Sequence, residues 1–91
     1  MRIEFAPNKN AKNIAERNLS FSLAADLDWE TANIIQDNRE TYPEPRYVLS
    51  GYLHNRLHIL CFTPINDGIR VISFRKANSR EQKAYEQAIK K

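Results

Sequence analysis

Three apolar, β-branched runs lie between Arg46 and Phe74, separated only by two short turn signals, and this spacing dictates a meander. Residues 46–53 and 57–63 meet across His54-Asn55, a tight hairpin connection. Asn66-Asp67-Gly68 then turns the chain into the run Ile69–Phe74. Strands joined this closely pair antiparallel, because a parallel crossover needs about a dozen residues or more.

The flanking segments complete the outline. Ile3 and Phe5 are the apolar members of a short first strand over 2–5. Pro7 suits the first turn of a helix, and Asn10 to Arg17 reads as helical. Its apolar side carries Ala11, Ile14 and Ala15, and its polar side Lys9, Lys12, Asn13 and Glu16. Ser20 is an N-cap for a second short helix, with Phe21, Ala24 and Ala25 turned inward and Trp29 packing near its end. Thr31 to Ile35 fits a strand, and Pro43 and Pro45 keep the segment before Arg46 irregular. Asn78 with Glu81 three places on makes a capping box for a last helix, whose apolar stripe is Ala84, Tyr85, Ala88 and Ile89. The expected order is β-α-α-β-β-β-β-α. This is an α+β domain with helices against one face of a mostly antiparallel sheet and the other face open.

Ninety-one residues suit one domain over 1–91, near the lower limit for a self-sufficient core. The 42% hydrophobic content is too high for disorder. No apolar run reaches the roughly 20 residues of a membrane span, and Met-Arg-Ile-Glu-Phe lacks the apolar stretch of a signal peptide. The single Cys61, between Leu60 and Phe62, reads as a buried free thiol in a reducing compartment. A cytoplasmic protein without membrane contact is the expectation.

Charge is unevenly placed within a net +3. Residues 20–45 hold Asp26, Asp28, Glu30, Asp37, Glu40 and Glu44 against Arg39 alone. Residues 70–91 hold Arg70, Arg75, Lys76, Arg80, Lys83, Lys90 and Lys91 against Glu81 and Glu86. This separation suits a polyanion on one face and a basic partner on the other, or two solvated halves that attract each other.

Most site chemistries are missing. His54 and His58 read as surface histidines by a turn, and no Cys-x-x-Cys or His-Glu-x-x-His spacing exists, so no metal site or cofactor is expected. With only Gly51 and Gly68 there is no phosphate-cradling glycine loop, and Gly-x-Ser-x-Gly is absent. Chemistry on a preformed polyanion remains. RNA cleavage without metal uses its own 2′-hydroxyl, so a protein need supply only a base, cations for the oxyanion and an acid. Arginines suit the second task.

Strand alternation puts Ser73 and Arg75 on one face, and Arg70, Ile72 and Phe74 on the other. Arg46 points with Val48, Ser50, Tyr52 and His54; if Arg46 and Arg75 share the open face, they form a two-arginine clamp. Glu81 and Tyr85 share one side of the last helix. Glu81 is either the N3 partner of the cap or a site carboxylate; Tyr85 is either core or site. Lys76, Arg80 and Lys83 contact RNA or a partner, or are simply solvated. Glu44 is a base or a loop charge.

Residues 44–86 resemble the BrnT-type toxins, the ribonuclease half of type II toxin–antitoxin pairs. The resemblance rests on Glu44-x-Arg46-Tyr47, Gly51, Arg56-Leu57 with Phe62-Thr63, and above all Ile69-Arg70-Val71-Ile72-Ser73-Phe74-Arg75-Lys76-Ala77, followed by Glu81 and Tyr85. Phe5, Lys9, Asn13, Ser20-Phe21 and Ala24/Ala25 are similar to the N-terminal pattern of those toxins. It implies a RelE-like fold and metal-independent RNA cleavage that stops translation. Arg46, Arg75, Glu81 and Tyr85 would then be the catalytic set, with Arg70, Lys76, Arg80 and Lys83 on the RNA. It also implies a hetero-oligomer with a cognate BrnA-like antitoxin, through which alone the toxin reaches operator DNA. The chain departs from the family at Phe5-Ala6 (usually Trp-Asp), at Asn18-Leu19 (usually His-Gly) and at Ile65, where an arginine often stands. The Ile65 departure supports a rival reading: a toxin-fold module that binds antitoxin or RNA without cutting. A basic RNA-binding sheet is a third reading, but the chain lacks the exposed aromatic pairs that stack bases.

Overall fold

The computed structural model describes residues 1–90. The elements run β1 (Arg2–Glu4), α1 (Pro7–Arg17), a 3₁₀ turn (Phe21–Asp26), β2 (Asn33–Gln36), β3 (Tyr47–Leu53), β4 (Arg56–Ile65), β5 (Gly68–Lys76) and α2 (Ser79–Ile89). The order read from the sequence is the order observed. All five strands join one sheet, β1-β5-β4-β3-β2, antiparallel except for the β1–β5 pair. The class is α+β.

The meander is built as its turns require. Leu53 pairs with Arg56 across His54 and Asn55, whose φ values of 49° and 68° are those of a type I′ turn. Neither residue is glycine, so the turn carries strain. Asn55→Gly is therefore expected to stabilise the fold by up to about 1 kcal/mol, read as a higher urea midpoint. β4 continues through Pro64, beyond the expected end at Thr63. Pairing with β3 stops at Tyr47–Phe62, so no strand stands on that side of Pro64 to need its missing N–H.

Leu49, Leu53, Leu60, Phe62, Ile69, Val71 and Phe74 form one sheet face, packed under Leu19, Phe21, Ala24 and Leu27. The opposite face buries Leu57 and Ile59 under Ala77 and Tyr85 of the α2 segment. Helical elements thus cover both faces rather than one, and α2 leaves part of its face open. Of the expected α2 stripe only Tyr85 is buried; Ala84, Ala88 and Ile89 are exposed. Ala25 is exposed too, since the tight 3₁₀ turn aims Phe21 and Ala24 inward instead.

α1 docks by the side expected to face water. Asn13 is buried, and its amide donates to the carbonyls of Leu19 (2.9 Å) and Phe74 (3.0 Å). Asn10 accepts from the Phe21 N–H at 2.8 Å, while Ile14, Ala11 and Ala15 are exposed. The cause is the site of docking. β1 pairs with β5 only as far as Arg70, which leaves the remaining β5 edge needing donors, and an asparagine supplies them where alanine cannot.

His58 is buried, not at the surface: its Nδ1 lies 2.8 Å from the Arg56 carbonyl, and burial pushes its pKa below the usual imidazole value. Cys61 is buried as expected, and burial raises its thiol.

Candidate functional site

One irregularity decides which basic residues meet. Between Cys61 and Phe62 the β4–β5 register shifts, so that Phe62 pairs with Val71 and Cys61 with Ser73. Ile72 is the extra residue of a β-bulge, and side-chain alternation changes phase there. Val71 and Phe74, three apart, consequently share the core face. Arg70, opposite Thr63, lies on the same face as Ser73 and Arg75. Strict alternation assigned Arg70 to the other face, and the bulge overturns that.

Two adjoining hollows occupy this region. The first, about 290 Å³, lies between α1 and β5 and is lined by Lys9, Lys12, Glu16, Arg17, Ile72, Ser73 and Arg75, among others. The second, about 250 Å³, is lined by Lys9, Glu44, Arg46, Thr63, Arg70 and Ile72, with Ala6, Pro43 and Val71. Lys9 and Ile72 belong to both. Each is at the small end for ligand pockets, a size suited to a piece of a polymer.

Arg46 and Arg75 line different hollows. Ser50, Ile59 and Arg75 form one cross-strand row, and Arg46 precedes Ser50 by four residues. The arginine backbones are offset by about 13 Å along the strands. The expected clamp on one hollow is therefore two cationic sites joined through Lys9.

Their electrostatics differ. Arg75 Nη1 and Nη2 donate to the two Glu81 carboxylate oxygens, both at 2.8 Å. Glu81 Oε1 also accepts from the Asn78 N–H, while Asn78 caps the Glu81 N–H. The capping box thus holds a bidentate arginine at the start of α2. The Arg75 hydrogen bonds lower the Glu81 pKa from 4.5 to about 2, and Arg75 is raised in return. Because the folded value is depressed, the pair stabilises the fold above about pH 4.5 and loses this contribution as pH falls toward 2. Glu81→Gln is expected to flatten that part of the curve of urea midpoint against pH, with wild type and variant converging near pH 2.

Arg70 is held from two sides, its Nε by Glu4 at 2.7 Å and its Nη1 by Glu44 at 2.8 Å. Arg46 has its guanidinium 4.2 Å from the centroid of the Tyr42 ring, a cation–π stack that orients it. Among the described residues no carboxylate lies within ion-pair distance of Arg46, Lys9, Lys12 or Arg17.

The remaining candidates lie elsewhere. Tyr85 is 3% exposed and its hydroxyl donates to the Thr31 carbonyl at 2.8 Å, so it ties α2 to the chain entering β2. Lys76 lines another cleft, of about 320 Å³, with Arg17, Leu19 and Arg75. Arg80 and Lys83 project into solvent from α2. Arg56 is at the far hairpin, donating to the Ala77 carbonyl. No group of three His, Cys, Asp or Glu side chains able to hold a metal ion exists among the described residues.

Sequence reasoning overlooked Lys9, Lys12 and Arg17 as site residues. Lys9, Lys12 and Glu16 are one helical stripe, a visible signal, but nothing local states that α1 lies along β5.

No curated protein and no solved structure gives a significant match. The family model for "Ribonuclease toxin, BrnT, of type II toxin-antitoxin system" matches residues 5–81, a span that takes in α1, the whole sheet beyond β1 and the Arg75–Glu81 pair. By that match the chain belongs to the BrnT family of ribonuclease toxins.

Proposed function

We propose that this protein is an endoribonuclease that cuts RNA without metal, by attack of a 2′-oxygen on the adjacent phosphorus. The P–O bond to the 5′-oxygen breaks and that oxygen takes a proton from water, leaving a 2′,3′-cyclic phosphate and a 5′-hydroxyl. The observation that carries this reading is the pair of adjoining hollows ringed by cations, four of which lack a carboxylate partner within the described residues. Arg75 and Arg46 neutralise charge on the oxyanion and on the neighbouring phosphate. Glu81 positions Arg75; a carboxylate with a pKa near 2 is too weak a base to take the hydroxyl proton. That proton passes to water: Glu44, the one carboxylate lining the second hollow, is held by Arg70 and lies on the Arg46 side, away from Arg75. Arg70, Lys76, Arg80 and Lys83 attract and align the RNA strand. Tyr85 acts by fixing α2, and with it Glu81. Cleavage stops translation in the cytoplasm until a BrnA-like antitoxin binds, and the toxin meets operator DNA only through that antitoxin.

Purified protein incubated with RNA and a chelator is expected to cleave, giving mapped ends with cyclic phosphate and 5′-hydroxyl. Cleavage abolished by the chelator overturns the mechanism.

A weakened enzyme is the second reading, and Ile65 favours it. Ile65 pairs with Gly68 two residues beyond Thr63, and Thr63 lines the second hollow. An arginine there would add a cation to that rim. Ile65→Arg is expected to raise the cleavage rate roughly tenfold, worth about 1.4 kcal/mol at the barrier.

A further inference from the structure

The sheet protects all of its edges but one. β1 carries Arg2 and Glu4, tied into ion pairs with Asp67 and Arg70, and such charges discourage strand addition. The free part of β5 is closed by α1, through Asn13 on the Phe74 carbonyl. β2 pairs with β3 on one side only, and its sequence Asn33-Ile34-Ile35-Gln36 contains neither charge nor proline. Ile34 is 41% and Ile35 59% exposed, one on each face of the edge. An apolar, uncharged edge is a template for another strand.

Charge selects the occupant. Asp26, Asp28 and Glu30 precede β2, and Glu40 follows it, while Arg39 is already bound by Asp37 at 2.7 Å. A second copy pairing antiparallel about a two-fold axis would set these acidic ends against each other. A strand of alternating basic and apolar residues meets the ends with opposite charge and both isoleucines with apolar contact. Ile35 stands opposite Val48, which is followed across the sheet by Cys61 and Ser73. An added strand would therefore lie in the same sheet as the basic hollows.

We propose that β2 accepts an extended, basic and apolar segment of the antitoxin as a sixth strand of the sheet. This rests on the antitoxin-partnered reading above. The test uses the whole toxin and its cognate antitoxin. Ile34→Lys/Ile35→Lys is expected to weaken the complex about tenfold or more by calorimetry, with RNA cleavage by the free toxin unchanged. Glu30→Lys/Glu40→Lys is expected to slow association, most at low salt. Amide exchange at Asn33–Gln36 in the wild-type protein should slow when the antitoxin binds, a readout that stands even if the lysine variant fails to fold. Unchanged affinity with unprotected β2 amides overturns the proposal. So does wild-type toxin that runs alone as a dimer which the lysine variant dissociates, since a second copy then holds the edge. Absence of cleavage by wild type would sink the ribonuclease reading and leave this measurement standing.

Discussion

Arg75→Ala is expected to lower RNA cleavage by about 10²–10³-fold while the protein still folds, because it removes one fixed positive group from beside the developing oxyanion. Arg75 is held before substrate arrives: both terminal nitrogens are bound by Glu81, which is itself locked into the N-terminus of α2. A group oriented in advance costs little reorganisation at the moment of reaction. Arg75→Lys should recover only part of the rate, since one ammonium cannot make the two-pronged contact. Folding should survive because the pair lies outside the core, its side chains 39% and 29% exposed, and water screens it enough to keep its contribution to stability modest. Initial rates on a defined RNA, alongside thermal melts of each variant, are the measurement. Wild-type rates in Arg75→Ala would remove Arg75 from the mechanism. Arg46→Ala is the informative companion. Its guanidinium lies in the second hollow, so a loss of binding without loss of maximal rate would mark it as a strand-positioning group.

Gly68→Ala is expected to cost about 3 kcal/mol or more and to lower the melting temperature by roughly 12–24 °C. Gly68 has no unusual φ; the constraint is close approach. A Cβ there would stand 2.6 Å from the backbone N and C of Arg2, and nearer still to its carbonyl oxygen. Backbone on both sides cannot yield as a flexible side chain would, so β1 would have to leave the sheet. The parallel pairing of Arg2, Ile3 and Glu4 with β5 would go with it, as would the Arg2–Asp67 contacts. Glu4 would also release Arg70. Gly51 is a useful contrast. A Cβ there meets the side chains of Leu49 at 3.0 Å and Ala32 at 3.2 Å, which can shift by tenths of an ångström. Denaturant unfolding of both variants checks the comparison, and equal losses would refute the steric account.

Features governed by neighbouring residues were legible. The hairpin at His54-Asn55 and the capping box at Asn78–Glu81 lie where the sequence places them, because each depends on groups within four residues. Tyr85 had two open readings, and its burial belongs to the packing reading, which no periodicity alone could select. The bulge left a trace that strict alternation passes over: Ile69 and Val71 are in phase with each other, and Phe74 is not.

The sequence alone determined the element order, the meander, the capped final helix and the family, all of them properties of short spacing and residue type. Only the tertiary structure decided which cations gather. It slips the β4–β5 register at Ile72, which turns Arg70 toward Arg75. It lays α1 along an unpaired β5 edge through Asn13, which adds Lys9. The physical reason is that both depend on backbone groups distant in sequence finding hydrogen-bond partners, a requirement that exists only once the strands are side by side.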